Sequence, residues 1–339
     1  MSLRWRIVVL AVLVVVVAVG TTFVLTRRSA EQSQAVAAAS AAPSVAMSEL
    51  AAGPRVVFRH TGLGADYGKA AAVSLADSTG PRAFYNVACE RLYAVPSRTV
   101  CLYRDAGLVT TYQGQVGDGS FANPAPLPLT GLPSRARLTA DGSLVATTTF
   151  VSGDSYLSQG FSTRTYVTTL ATGESQHVED FALVHEGQPV NPVDRNYWGI
   201  TFSADDHTFY LTASWAGKTW LAKGDLRTRT ITTIAENVEC PSLSPDETRV
   251  AFKKRVGTGA NPWRLMVRDL ASGVESNVAE QRSVDDQVVW LDNSTLAYAL
   301  PRTAPGVATS DIWSVPADGS GSPQVLVADA FSPTVQSAS

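Results

Sequence analysis

A chain of 339 residues, 45% hydrophobic and only 17% charged, has the length and apolar content for one large all-β domain or two average ones. Its formal net charge of −3 lacks the basic surplus that a nucleic-acid binder needs, so no nucleic-acid partner is expected.

Residues 1–28 form the first unit. Arg4 and Arg6 stand on one side and Arg27 and Arg28 on the other, and residues 7–25 between them carry no charge. About 20 apolar residues span a bilayer, whereas the core of a cleavable signal usually has about 7–15. The expectation is an N-terminal transmembrane helix. The small-x-small triplet Ala18-Val19-Gly20 keeps a cleaved signal, and hence secretion, open as the alternative. The flanking arginines barely orient the segment, and the N-terminal amine tips the count inward. The expected location is therefore the cell membrane, single-pass, with the bulk of the chain on the extracytoplasmic side.

Residues 29–53 (SAEQSQAVAAASAAPSVAMSELAAG) are rich in Ala and Ser and show no periodicity. Such a composition cannot build a core and reads as a flexible, disordered tether. The folded domain is expected over 54–335, with 336–339 as a tail. In an oxidising compartment Cys89 and Cys101, which flank the predicted hairpin ERLYAVPSRTV, are expected to form a disulfide. Cys240 lies in the apolar run VECPSL and is expected to be a buried, inert thiol.

An internal repeat decides the fold class. The segments PSRARLTADGSLVAT, YWGITFSADDHTFYLT, ECPSLSPDETRVAFKK and DDQVVWLDNSTLAYAL align on Asp141, Asp205, Asp246 and Asp292. Leu138, Phe202, Leu243 and Val289 stand three residues before, and Val145, Phe209, Val250 and Leu296 four residues after. The Asp/Gly/Asn/Ser pairs between the two apolar positions are hairpin-turn chemistry. A second hairpin follows each first one, as in RTYVTTLATGESQHV and WRLMVRDLASGVESNV. Two hairpins make a four-stranded unit, and the last three aspartates recur at roughly 40–46 residues, a blade's length. The longer gap after Asp141 is assigned to loops around FVSGDSYLSQGFS and HEGQPVNPVDRN. Blades are expected near 83–128, 133–183, 196–237, 238–281 and 283–329. The lone terminal strand AFSPTV and the N-terminal RVVFRHTG and KAAAVSLAD would complete a sixth, since circular closure removes exposed sheet edges. The fold class is all-β, a six-bladed β-propeller. Lys253, Lys254 and Arg255, after an apolar run, read as a solvated strand end.

CPSLSPDETRVAF, with the weaker copies RARLTADGSLVAT and GITFSADDHTFYL, resembles the S-P-D-G-x-x-[IVL]-A-[FY] repeat of TolB-like propellers. The likeness covers most of 55–335, and the overall pattern resembles the membrane-anchored TolB-like proteins of actinobacteria. It departs from TolB proper, which carries a separate α/β domain where residues 29–53 stand here. The motif implies fold; function resides in sites.

The search for chemistry finds no G-x-S-x-G nucleophile elbow, C-x-x-C, P-loop, Rossmann glycine pattern or EF-hand spacing. His60 ends a predicted strand and His177, His185 and His207 fall in predicted loops, without zinc-ligand spacing. No cofactor is implied. One constellation remains. Inner strands start at one face of the disc, so residues about seven before each aligned Asp should ring the channel mouth: Ser134, Trp198, Glu239 and Asp285, with Arg135, Arg137, Tyr197, Asp286 and Gln287 beside them. Asp285 and Asp286 could pair with Arg135 or Arg137. The first functional expectation is a non-catalytic binding or scaffold propeller for a protein, peptide or glycan of the cell envelope. The alternative is a divalent-cation-dependent hydrolase of small esters or lactones, with Glu239, Asn196 and Asp285 as nominal ligands.

If residues 7–25 are an anchor, the full chain stays with membranes through a carbonate wash, while a chain starting at Gly53 is soluble. Recovery of free protein beginning at Thr21 identifies a cleaved signal instead.

Overall fold

The computed structural model describes residues 42–337 except 108, 152–161, 260 and 303–308, together with a discontinuous set of positions between 5 and 27. The expected tether over 29–41 and the expected loop over 152–161 lie outside the described residues. So does part of the expected span 7–25. Among the described residues no helix is long and apolar enough to cross a membrane.

The strands number β1 to β26 in chain order. β1 (Arg55–His60), β2 (Lys69–Ser74) and β3 (Ala83–Ala88) are followed by a first complete blade of β4 (Arg91–Ala94), β5 (Arg98–Ala106), β6 (Thr110–Asp118) and β7 (Ala125–Leu127). The second blade holds β8 (Leu132–Leu138), β9 (Leu144–Val151), β10 (Ser162–Thr169) and β11 (Ser175–His177). An inserted hairpin, β12 (Ala182–His185) and β13 (Gln188–Val190), precedes the third blade of β14 (Asn196–Phe202), β15 (Thr208–Trp215), β16 (Lys218–Asp225) and β17 (Thr230–Glu236). The fourth comprises β18 (Glu239–Leu243), β19 (Arg249–Arg255), β20 (Trp263–Asp269) and β21 (Glu275–Asn277). The fifth comprises β22 (Val289–Trp290), β23 (Thr295–Pro301), β24 (Ser310–Pro316) and β25 (Gln324–Val327), and the chain ends in β26 (Ala330–Gln336).

β26 returns to lie against β1, so the sixth sheet runs β26-β1-β2-β3. Its antiparallel register pairs Arg55 with Gln336, Val56 with Val335 and His60 with Ala330. The first strands β4, β8, β14, β18, β22 and β26 touch one another in sequence and close a ring. This is the expected six-bladed propeller, with three shifts of boundary. The strand β3, expected to open the first blade, is the outer strand of the closing one. β26 runs to Gln336, expected in the tail, whose buried side-chain amide donates to the carbonyls of Val95 (3.0 Å) and Gly119 (2.9 Å). And Met47 and Leu50, expected in a flexible tether, pack against the closing blade, where Ser44 bridges to Arg82. Apolar side chains in an otherwise small-residue stretch suffice to dock it.

The long gap after Asp141 is partly strand rather than loop. β12 pairs in parallel with β17 and extends the third blade to six strands, which covers an otherwise open sheet edge. His177 and His185 accordingly end short strands, not loops.

Both faces of each blade pack on neighbours, so inner and middle strands are apolar on both sides. Along β1, Val56 and Phe58 face the fifth blade, while Val57 faces the first. Six apolar clusters fill the six interfaces between blades. Val145, Phe209, Val250 and Leu296, the apolar positions after each repeat aspartate, are all fully buried. The aspartates shape the turns. Asp246 Oδ1 accepts from Ser244 Oγ (2.6 Å), from the Thr248 N–H (3.1 Å) and from Thr248 Oγ1 (2.8 Å). Those bonds hold its carboxyl down at about 2. Asp141, Asp205 and Asp292 take the same role. In the Asp141 turn the next residue has φ +78°, and a Cβ there would meet Ser97 Oγ at 2.6 Å, so only Gly142 fits.

Cys89 and Cys101 are disulfide-bonded, with Cα atoms 5.4 Å apart. Cys89 follows β3 and Cys101 lies in β5, so the bond joins the closing blade to the first. A loop of this length contributes about 3 kcal/mol in the chain-entropy account.

Deleting 330–339 is expected to abolish the cooperative melting transition of the whole domain, because it strips the inner strand from one blade and uncovers two interfaces. Deleting only 337–339 should leave the melting temperature unchanged. A chain ending at Asp329 that melts like the parent would refute the closure.

Candidate functional site

The inner strands all start at one face of the disc, here the upper face, and end at the lower. Two backbone irregularities shape the upper mouth. β8 has a register shift between Pro133 and Arg135, and Cys240 in β18 adopts φ +49°. Gly199 (φ +69°) faces Cys240, and a Cβ there would approach the Cys240 Cα to 2.9 Å. The close approach of β14 to β18 thus requires glycine.

At this mouth Lys253, only 4% exposed, extends from β19 between two carboxylates. Its ammonium bonds Asp285 Oδ1 and lies 4.0 Å from Glu239 Oε2. It also sits 4.4 Å from the Trp263 ring centroid, with the Arg255 guanidinium 4.2 Å from the same ring. Burial pushes the Glu239 carboxyl above its ordinary range, and Lys253 and Arg255 draw it back. Asp285 is 72% exposed and faces solvent.

Below this layer Arg91 Nη1 reaches Asp286 Oδ1 at 3.3 Å, and its guanidinium lies over Phe331. Burial and the adjacent Arg135 lower Arg91 to about 10. Arg135 donates to the Ser134 carbonyl (2.8 Å) and approaches Cys240 Sγ at 3.9 Å. Deeper still, Gln287 Nε2 donates to the carbonyls of Gly199, Ile200 and Pro241, tying the fifth blade to the third and fourth. Arg137 reaches Tyr93 Oη, Ser242 Oγ and the Val288 carbonyl. These side chains plug the channel midway and leave between them a void of only about 20 Å³.

The expected ring is therefore brought together in layers. Glu239 and Asp285 lie at the rim, Arg135 and Asp286 beneath, Gln287 and Arg137 in the plug. The acids pair with Lys253 and Arg91, not with Arg135 or Arg137. Trp198 is half-buried. Tyr197 is not at the mouth: it is fully buried in the cluster between the second and third blades, because adjacent strand residues face opposite ways. Asn196 is taken up by the Thr163 backbone N–H (2.8 Å). Lys253 corrects the reading of 253–255 as a solvated strand end. A middle strand buried on both faces also buries its charges, and that signal was present in VAFKK. Arg91 escaped notice because its blade lacks the repeat aspartate. Cys240 is buried and free, as expected. Among the described residues no group of three or more His, Cys, Asp or Glu is placed to hold a metal ion.

At the lower face the inner strands diverge into a cavity of about 270 Å³ lined from all six blades, among them by Tyr93, Arg137, Phe202, Ser242, Trp290 and Val335. The sequence repeat gave no sign of it.

The structure is similar to TolB from Acinetobacter baumannii, with a TM-score of 0.50 and 16% identity over 68% of this chain and 53% of that one. It is also similar to a chain of a nidogen/laminin complex, with a TM-score of 0.55 and 12% identity over 85% and 99% of the two chains. A puromycin-hydrolysing peptidase of Mycobacterium tuberculosis aligns with a TM-score of 0.49 and 13% identity over 83% and 44%. The chain spans about half the length of the Acinetobacter TolB. Its fold is a TolB-like β-propeller. No family model and no curated protein matches the sequence.

An acid whose folded pKa is raised contributes stability below its unfolded value and loses it as pH rises through the folded value. Lys253→Met leaves Glu239 buried with its nearest cation gone and is expected to cost about 3 kcal/mol at pH 8. The cost should be smaller at pH 5, and adding Glu239→Gln should remove the pH dependence. Urea unfolding at the two pH values checks this, and an equal loss at both would exclude Glu239 as the cause.

Proposed function

Taking the six-bladed, TolB-like propeller as the premise, we propose that it is a non-catalytic binding module, held at the extracytoplasmic face of the cell membrane by its N-terminal segment. It engages a protein, peptide or glycan of the cell envelope through the upper mouth. The observation that carries this reading is the position of Lys253. Its ammonium fills the space between Glu239 and Asp285, where a divalent cation for ester or lactone hydrolysis would have to sit. The acids are thereby fixed as recognition charges, with Asp285 and Arg255 exposed at the rim beside Trp263. Fixed charges of both signs around an aromatic ring suit a polar partner surface.

The anchoring rests on the residues between Trp5 and Arg27. Those described are helical, and Leu10, Leu13, Val14, Val16, Val17 and Val19 are each more than half exposed, so no protein surface covers them. A lipid core would. The disulfide fits an oxidising compartment. The nidogen/laminin assembly is one of proteins, which supports testing a protein partner first.

The test is affinity capture from envelope extract with the full chain in detergent, comparing wild type with Asp285→Arg. A partner held by the wild type should be retained about 5- to 30-fold less by the variant, since reversing a rim charge costs on the order of 1–2 kcal/mol. Equal capture by both would remove the upper mouth from the interaction.

A further inference from the structure

The lower cavity holds a charge without a counter-charge. Arg137 is 7% exposed, yet among the described residues it makes no ion pair with a carboxylate. Its acceptors are all neutral: Tyr93 Oη at 3.2 Å, Ser242 Oγ at 3.4 Å and the Val288 carbonyl at 3.0 Å. Its Nε–H has no acceptor. Arg91 and Lys253 differ, since Arg91 faces Asp286 and Lys253 faces Asp285 and Glu239. Arg135 also lacks a carboxylate at ion-pair distance, but it lies within the field of Asp285 and Asp286, which Arg137 does not share. A guanidinium taken out of water without a partner anion is costly, and buried charges are ordinarily paired.

The rest of the lining says what could pair with it. Among the described residues Glu247 is the one carboxylate lining the cavity, and both of its oxygens are engaged, by Ser203 Oγ and by the Ala204 N–H. It therefore does not reach Arg137. The remaining polar groups are mostly hydroxyls, and the wall is mixed, with Phe202, Leu243, Val289 and Trp290 supplying its apolar part. Trp290 is fixed by its indole N–H on the Ser242 carbonyl (2.9 Å). A volume of about 270 Å³ sits just below that of drug-sized pockets and takes a body the size of one amino-acid residue.

We infer that the lower mouth is a carboxylate site, in which Arg137 receives the carboxylate of a compact apolar acid whose hydrocarbon part lies against Phe202 and Trp290. The same chemistry is offered by the free C-terminal residue of a peptide and by a small branched-chain carboxylic acid. The site is separate from the upper mouth and goes beyond the binding function proposed there. Asp285→Arg should leave it intact, so either reading can fail alone.

Titration calorimetry on the full chain decides the matter with matched acids and amides. The probes are Ala-Ala-Leu, Ala-Ala-Leu amide, 4-methylpentanoate and 4-methylpentanamide. Both acids, or the peptide acid alone, should bind the wild type at least about ten-fold more tightly than the matching amide. A peptide acid that binds about ten-fold or more tighter than 4-methylpentanoate assigns the site to peptide C-termini; equal affinity assigns it to small acids. Arg137→Met should abolish binding, and Arg137→Lys should weaken it while preserving the preference for acid. Should Arg137→Met fail to fold, the acid-to-amide ratio on the wild type stands by itself. Equal affinity of acids and amides, no binding by any acid, or unchanged binding in folded Arg137→Met would each overturn the inference.

Discussion

The ladder between β26 and β1 is the contact on which everything else rests. It joins residues from opposite ends of the folded domain, Arg55 with Gln336 and His60 with Ala330. It is also the only pairing that turns a row of blades into a ring. In an open row the two end blades would each expose one apolar face. Closed, all six interfaces are alike, and no blade has a free side. Reinforcement gathers at this seam. The disulfide ties the closing blade to the first, and Thr334 Oγ1 and the Gln336 amide carry hydrogen bonds from β26 to Ala94 of β4 and to Val95 just after it.

Closure has an electrostatic consequence at the axis. Six inner strands converge there, and the side chains they bring together have little choice of partner. Near the upper face the charges compensate, Lys253 with Glu239 and Asp285, Arg91 with Asp286. Midway, Gln287 and Arg137 bind backbone carbonyls across the channel and seal it. Lower down, compensation stops. The disc therefore has two chemically different mouths, one of paired charges and aromatic rings, the other a small cavity beneath a guanidinium without an ion-pair partner among the described residues.

The polarity of the disc bears on its setting. Arg55, where the chain enters from the N-terminal segment, pairs with Gln336 at the lower end of β26, so that segment joins the propeller on the face of the lower cavity. The upper mouth lies on the opposite face. The charged rim thus faces away from the side on which residues 42–54 enter the propeller.

Much of the fold was legible in the sequence because a blade is a local object. The aspartate turns, the apolar positions on either side of them and the hairpin signals all lie within one repeat, and each is a requirement of short-range backbone geometry and of burial on both faces. Even the ring followed from that, since an unfinished blade at each end leaves closure as the way to cover both edges. The Cys89–Cys101 bond was legible for the same reason. What the repeat could not convey is anything that depends on how blades face one another. Tyr197 and Trp198 are neighbours in sequence, but one is fully buried in an interface cluster and the other only half-buried. Lys253 reads as a strand end until the second blade face is known to be covered. Arg91, in a blade without the aspartate, comes to Asp286 only across the channel. Arg137 carries no mark of being unpaired, because the distance from a guanidinium to every carboxylate is fixed only when six separate strands meet at one axis.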